Sequence, residues 1–164
     1  MIRIATAECF THGRIGLEIH AISRGYYMNI SHTLNFEPSR LSLIASLFIP
    51  TLSGVRSILG FEPLEPDDLL DGIKVYNDEK DKIMAVKMAE AVRSITGADI
   101  GIGSTAGIGK GAVAVADERT VLTGFSEVYA DLRTSDADII MKRQESGIEE
   151  AFVLLEKILI ENYS

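Results

Sequence analysis

The chain has a single cysteine among 164 residues. An internal disulfide is therefore excluded, Cys9 is a free thiol, and a reducing cytoplasm is the expected location. Basic residues are also scarce: 16 Lys and Arg stand against 24 Asp and Glu, a net charge of −8. Phosphate backbones are held mainly by Lys and Arg, so binding nucleic acid is not the expected task. The longest uncharged stretch, residues 41–55, contains Pro50, whereas a membrane span needs about 20 apolar residues. The opening MIRIATAE reads as a strand and lacks the pattern of a signal peptide. Repeats, low-complexity tracts and domain linkers are missing too. His12, His20 and His32 share no ligand spacing, and Cys9 with His12 makes only two ligands, so no metal site is expected.

What is present suits one α/β domain over residues 1–164. Apolar residues make up 46% of the chain, ample for a core at this length. Residues 2–7 predict a buried strand, and residues 13–24, with Ile15, Leu17, Ile19 and Ile22, an amphipathic helix stopped by Gly25. Residues 26–38 read as a loop. Ser39 then caps a strongly apolar helix over 41–48, which Pro50 ends, and a short helix follows over 53–59. This makes 26–72 a helical insertion. Residues 73–76 predict a strand, and Asn77-Asp78 caps a long helix to Thr96 with Ile83, Val86, Met88, Ala91, Val92 and Ile95 inward. Strands over 99–103, 112–116 and within 120–129 precede a last helix over 137–162. The expected fold is a three-layer sandwich, a mixed and largely parallel sheet covered by helices on both faces.

The glycine-rich GIGSTAGIGKG, residues 101–111, fits neither standard phosphate motif. A P-loop needs glycine where Ser104 stands and Ser or Thr where Gly111 stands. A dinucleotide fingerprint opens a helix, and here a strand follows. What remains is either a run of small residues whose amides can approach an anion or a tight hairpin. Cys9 lies between a strand and a helix. The positive end of a helix favours thiolates, His12 three residues on can take or share a proton, and Thr6 and Thr11 add hydroxyls. An inert core thiol is the competing reading.

The segments ATAECFTHG, VYNDEK, MAEAV, GADIGIGSTAGIGKG and VAVA resemble the C-terminal domain of competence-damage proteins. That family includes nicotinamide mononucleotide deamidases. Its serine nucleophile, in TAES, falls on Cys9, and its TGIAGPGG loop matches Thr105, Ala106, Gly107, Ile108 and Gly109. Its YSNEA motif matches Tyr76-Asn77-Asp78-Glu79, but the catalytic lysine that follows does not align: Lys80 is one place early and Asp81 occupies the position. From end to end the chain is similar to the HcgF-like family of methanogens, which acts in biosynthesis of the iron-guanylylpyridinol cofactor of mononuclear-iron hydrogenase.

This second resemblance implies that Cys9 forms a thioester with the carboxymethyl group of guanylylpyridinol after an E1-like partner, HcgE, adenylates the carboxylate. It implies no tightly bound cofactor, guanylylpyridinol being the substrate. The expected binding set is Thr6, Glu8, Thr11, Gly13, Tyr76, Asn77, Ser104 and the loop through Lys110, which would hold the guanylyl phosphate, with His12 assisting Cys9. A nucleotide amidohydrolase using Cys9 with Lys80 or Lys82 is the rival enzyme. A non-covalent guanylyl-ligand binding protein is the non-enzymatic alternative. The apolar stretch 41–59 exceeds what packing one helix on a sheet requires, so a homodimer is expected.

Overall fold

The structure, a computed structural model, describes residues 1–27 and 30–164. Residues 28 and 29, within the expected loop 26–38, lie outside the described residues. The first strand, β1 (Ile2–Glu8), is followed by α1 (Arg14–Arg24), which Gly25 ends in the left-handed conformation. Then come β2 (Leu41–Phe48), a helical turn α2 (Leu52–Gly54) continued by a π turn (Val55–Leu59), β3 (Asp68–Leu70) and β4 (Ile73–Val75). The long helix α3 (Asp78–Thr96), β5 (Ile100–Thr105), β6 (Ile108–Gly109), β7 (Ala112–Ala116), β8 (Val121–Phe125), β9 (Ala130–Asp131) and α4 (Ala137–Tyr163) complete the chain.

Five strands form the central sheet in the order β2-β1-β5-β7-β8. Its β2, β1 and β5 are mutually parallel, and β7 and β8 continue antiparallel. Helices α1 and α4 bury Ile15, Ile19, Ile148, Leu155 and Leu159 against one face, with Ile4, Ile100 and Ile102 of the sheet. Helix α3 buries Met84, Met88 and Val92 against the other, where Ala5 and Ala7 point. This is the three-layer arrangement that the alternation of strands and helices predicts. Among the described residues no helix is long and apolar enough to cross a membrane.

Residues 41–48 correct the sequence reading. They form the edge strand β2, paired with β1 from Leu41 opposite Ile2 to Phe48 opposite Glu8. The free edge of a buried β1 demands backbone partners, and that demand overrides the helical look of LSLIASLF. Among its described residues the segment 26–72 therefore brings a strand to the sheet, the hairpin strand β3 and short helical turns. Leu70 and Ile73 pair across Asp71-Gly72, both at positive φ, in the tight hairpin that an Asp-Gly pair favours.

Helix α3 also differs in its inward face. Ile83 and Ile95 are exposed, and Asp81, Ala85 and Ala89 are buried instead. Glycines explain this shift. A Cβ on Gly101 would stand 2.0 Å from the Ala89 carbonyl oxygen, and one on Gly103 2.1 Å from that of Ala85. The helix lies so close to β5 that only a glycine strand and an alanine stripe fit between them.

Gly103→Ala is thus expected to lower stability by at least about 2 kcal/mol, because backbone on both sides has to move. Urea denaturation checks this: the midpoint falls with an unchanged slope. An unshifted midpoint would mean that the layers can separate freely.

Candidate functional site

The site is built where β1 and β5 end side by side. Glu8, the last residue of β1, is wholly buried. Its carboxylate accepts hydrogen bonds from the Thr11 hydroxyl (2.6 Å), the Ile15 amide (3.1 Å) and the Gly16 amide (2.9 Å). Thr11 also meets the Ser104 hydroxyl at 2.7 Å, and the Cys9 amide donates to the Ser104 carbonyl at 2.9 Å. One carboxylate therefore ties the strand end, the following turn, the start of α1 and β5 together. The expectation that the α1 start serves Cys9 needs correction. Its amides at Ile15 and Gly16 are taken by Glu8, so the positive end of α1 meets that carboxylate.

Cys9 is 5% exposed. Ala5 and Ala7 point to the α3 side, and strand alternation carries Cys9 to that side too. Thr105 follows from Gly101 and Gly103 on β5 in the same way. His12 adopts positive φ (54°) and Gly13 follows at 80°, so the turn throws the imidazole outward, tilted against Phe48 at 5.2 Å. Burial lowers its pKa, opposed by Glu8 and reinforced by Arg14. Burial therefore favours the neutral form of the ring. Thr6 meets Ser46 at 3.2 Å on the α1 side.

The loop after β5 is packed, and four of its amides are already engaged. The Gly107 amide donates to Asp81, the Ile108 amide to the Tyr76 carbonyl, and the Lys110 and Gly111 amides to Asp78. Ala106, Gly107 and Gly109 are buried, while the Lys110 side chain is exposed. The expected phosphate cradle over residues 104–110 is corrected on this point, because carboxylates of α3 occupy the place of an anion. Tyr76 and Asn77 have structural duties: the Tyr76 hydroxyl donates to the Leu64 carbonyl at 2.6 Å, and Asn77 caps α3 through the Lys80 amide. Lys80 pairs with Asp67 at 2.6 Å and Lys82 is exposed.

Two residues beyond the expected set stand out. Asp81 is wholly buried at the position of the misaligned lysine, and one of its oxygens, Oδ1, completes no hydrogen bond. The Thr105 hydroxyl is near enough to favour the ionised carboxylate but also completes no bond. Arg143, 1% exposed, donates from one nitrogen to the carbonyls of Gly107 (2.9 Å), Gly109 (3.0 Å) and Ala130 (2.9 Å). A clue to Arg143 lay in the stripe of the last helix, which continues backward from Ile148 onto Gln144 and its neighbour. Gln144 holds the Phe10 carbonyl at 3.1 Å, and Phe10 fills the notch at Gly147.

Burial pushes the Asp81 carboxyl up to about 7, against the pull of the Gly107 amide, Thr105 and Lys74 and with some help from Asp78. The folded chain thus binds a proton here that the unfolded chain, with an ordinary value of about 3.9, gives up. The stability linked to that proton is fully present below the unfolded value and is lost as pH rises through about 7. Asp81→Asn removes the dependence. Its Tm relative to the unaltered chain is expected to rise between about pH 5 and about pH 8, measured by thermal denaturation. A difference that is flat or falls with pH would contradict this.

Over residues 1–159 the chain matches the family described as FeGP cofactor biosynthesis protein HcgF. A UPF0254 protein of Methanothermobacter thermautotrophicus is 54% identical over 97% of this chain and 99% of that relative. A UPF0254 protein of Methanocorpusculum labreanum is 50% identical over 98% of this chain and 94% of the relative. Among solved structures, competence damage-inducible protein A of Klebsiella pneumoniae superposes with a TM-score of 0.63 at 13% identity, covering 98% and 88% of the two chains. A CinA superfamily protein of Escherichia coli gives 0.60 at 14% identity, covering 96% and 81%. At such identities the likeness is one of fold. The sequence match is more specific, and by it this chain belongs to the HcgF family of FeGP cofactor biosynthesis, with relatives in methanogens.

Proposed function

We propose that Cys9 receives the activated carboxymethyl group of guanylylpyridinol as a thioester, on the way to the acyl–iron ligand of the cofactor. The observation that carries this reading is the family match over residues 1–159. The placement of the lone thiol supports it, because open α/β sheets take ligands at the carboxyl ends of their strands. An E1-like partner, HcgE, supplies the acyl-adenylate. The Cys9 sulfur attacks the acyl carbon, the C–S bond forms, the C–O bond to the phosphate breaks and AMP leaves. The thiol proton passes to His12, whose neutral form burial favours, or to water. A thiolate attacks such an acyl group readily near neutral pH and leaves it still activated for the next transfer. A serine ester would be a poorer donor.

The guanylyl phosphate meets the exposed Lys110 side chain in this reading, the amides of the loop being engaged with Asp78 and Asp81. The amidohydrolase reading finds less support, since Lys80 is tied to Asp67 and Lys82 faces solvent. In the cytoplasm the expected assembly is a homodimer, the edge strand β2 leaving Ile44 and Phe48 exposed at 41% and 54%. Light scattering that gives a monomer mass at micromolar concentration would contradict that assembly.

The chemistry is tested by intact-mass analysis after mixing with guanylylpyridinol, ATP and HcgE. A hydroxylamine-labile adduct is expected, lost in Cys9→Ser. No adduct, or one that survives both hydroxylamine and Cys9→Ser, would sink the thioester. Ligand binding unchanged in Cys9→Ala without any covalent product would favour the non-covalent alternative. Steady release of ammonia from nicotinamide mononucleotide, abolished by Cys9→Ala, would revive the amidohydrolase.

A further inference from the structure

Arg143 is a buried guanidinium with most of its N–H donors unused. One nitrogen is fully engaged with the carbonyls of Gly107, Gly109 and Ala130, while Nε and the other terminal nitrogen have no partner. Leaving charged donors unmet in a dry site is costly, and an arginine that serves only to tie a loop needs no second free edge. Asp81 Oδ1 and the Thr105 hydroxyl are also buried without partners, and Asp81 and Cys9 are among the groups whose charge reaches the guanidinium. The anchoring also fixes the fork, because three carbonyls and the Phe10 ring, 6.0 Å from the guanidinium carbon, hold the side chain in place.

We propose that Arg143 is a catalytic residue that receives the oxygen of the acyl group delivered to Cys9, its free N–H donors holding a carboxylate or the oxyanion formed when sulfur attacks, beside Asp81 and Thr105. The proposal rests on the reading of Cys9 as the acyl acceptor. A planar fork with fixed donors suits oxygen of this kind, and donors aimed at developing charge act most strongly where water is excluded. The atoms balance as in the thioester step: Arg143 donates hydrogen bonds, transfers no proton, and the oxygen returns to a carbonyl when AMP leaves.

Two small probes test this on the intact chain. Iodoacetate and iodoacetamide alkylate the same sulfur and differ in the carboxylate, and with one cysteine in the sequence intact mass reports Cys9 alone. Relative to free cysteine, Cys9 is expected to favour iodoacetate over iodoacetamide by roughly tenfold, about the worth of one charge-assisted hydrogen bond. Arg143→Gln brings the ratio back to that of free cysteine, and Arg143→Lys keeps part of it. With HcgE, ATP and guanylylpyridinol, Arg143→Gln slows thioester formation by roughly 100-fold or more. Because Arg143 also ties three carbonyls, the ratio in the unaltered chain stands as a measurement that needs no variant.

A ratio at or below that of free cysteine overturns the proposal, as does a Cys9 that neither reagent reaches in the folded chain. Thioester formation at an unchanged rate in Arg143→Gln leaves Cys9 as acceptor and makes Arg143 a structural tie. An unaltered chain that forms no thioester removes the acyl-acceptor reading, and the alkylation ratio still decides whether Arg143 holds a carboxylate.

Discussion

Everything near Cys9 depends on the buried carboxylate of Glu8. It accepts two amides at the start of α1 and the hydroxyl of Thr11, and Thr11 passes the connection to Ser104 on β5. A buried carboxylate is costly unless its lone pairs are filled, and here backbone donors of a helix start fill them. The result is a rigid corner in which the direction of α1, the turn at His12 and Gly13, and the spacing of β1 and β5 are set together. Cys9 is placed by that corner, its amide held by the Ser104 carbonyl.

The α3 side of the sheet holds expensive chemistry. Asp81 and Lys74 are both buried, and each brings an ionisable group into a layer otherwise lined by alanine, methionine and valine, while the buried Arg143 enters from α4 on the opposite face. Among the described residues Lys74 reaches the carbonyls of Ile49 and Pro50, at 3.4 and 3.3 Å. Apolar replacements would often make such a layer more stable, so the charges point to use beyond holding the fold. The glycine faces of β5 bring α3 close enough for Asp81 to reach the Gly107 amide. The close packing of helix on strand and the burial of Asp81 against the loop after β5 thus have one cause.

The frame was legible where local chemistry and tertiary packing agree. Gly25 and Gly97 stop their helices in the left-handed conformation, Asn77 caps α3, and the apolar stripe of α4 faces the sheet. Legibility failed where a distant partner decides. LSLIASLF has the composition of a helix and becomes a strand because β1 lacks a neighbour on that side. The inward face of α3 was missed because it is chosen by contact with glycines, so Ala85 and Ala89 go in and the larger Ile83 and Ile95 stay out. At the site, the motif around Cys9 was readable in order of residues. The division of labour was not: Asp78 and Asp81 fill the loop amides, and Arg143 arrives from a helix more than a hundred residues away.

The central claim is that Cys9 meets the carboxymethyl carbon of guanylylpyridinol at the carboxyl ends of β1 and β5. A crystal structure soaked with guanylylpyridinol tests it most directly. The account predicts the ligand at those strand ends, with the carboxyl carbon of its carboxymethyl group poised about 3–3.5 Å from the Cys9 sulfur. Ligand seated elsewhere on the chain, with Cys9 still covered and out of its reach, would contradict the account.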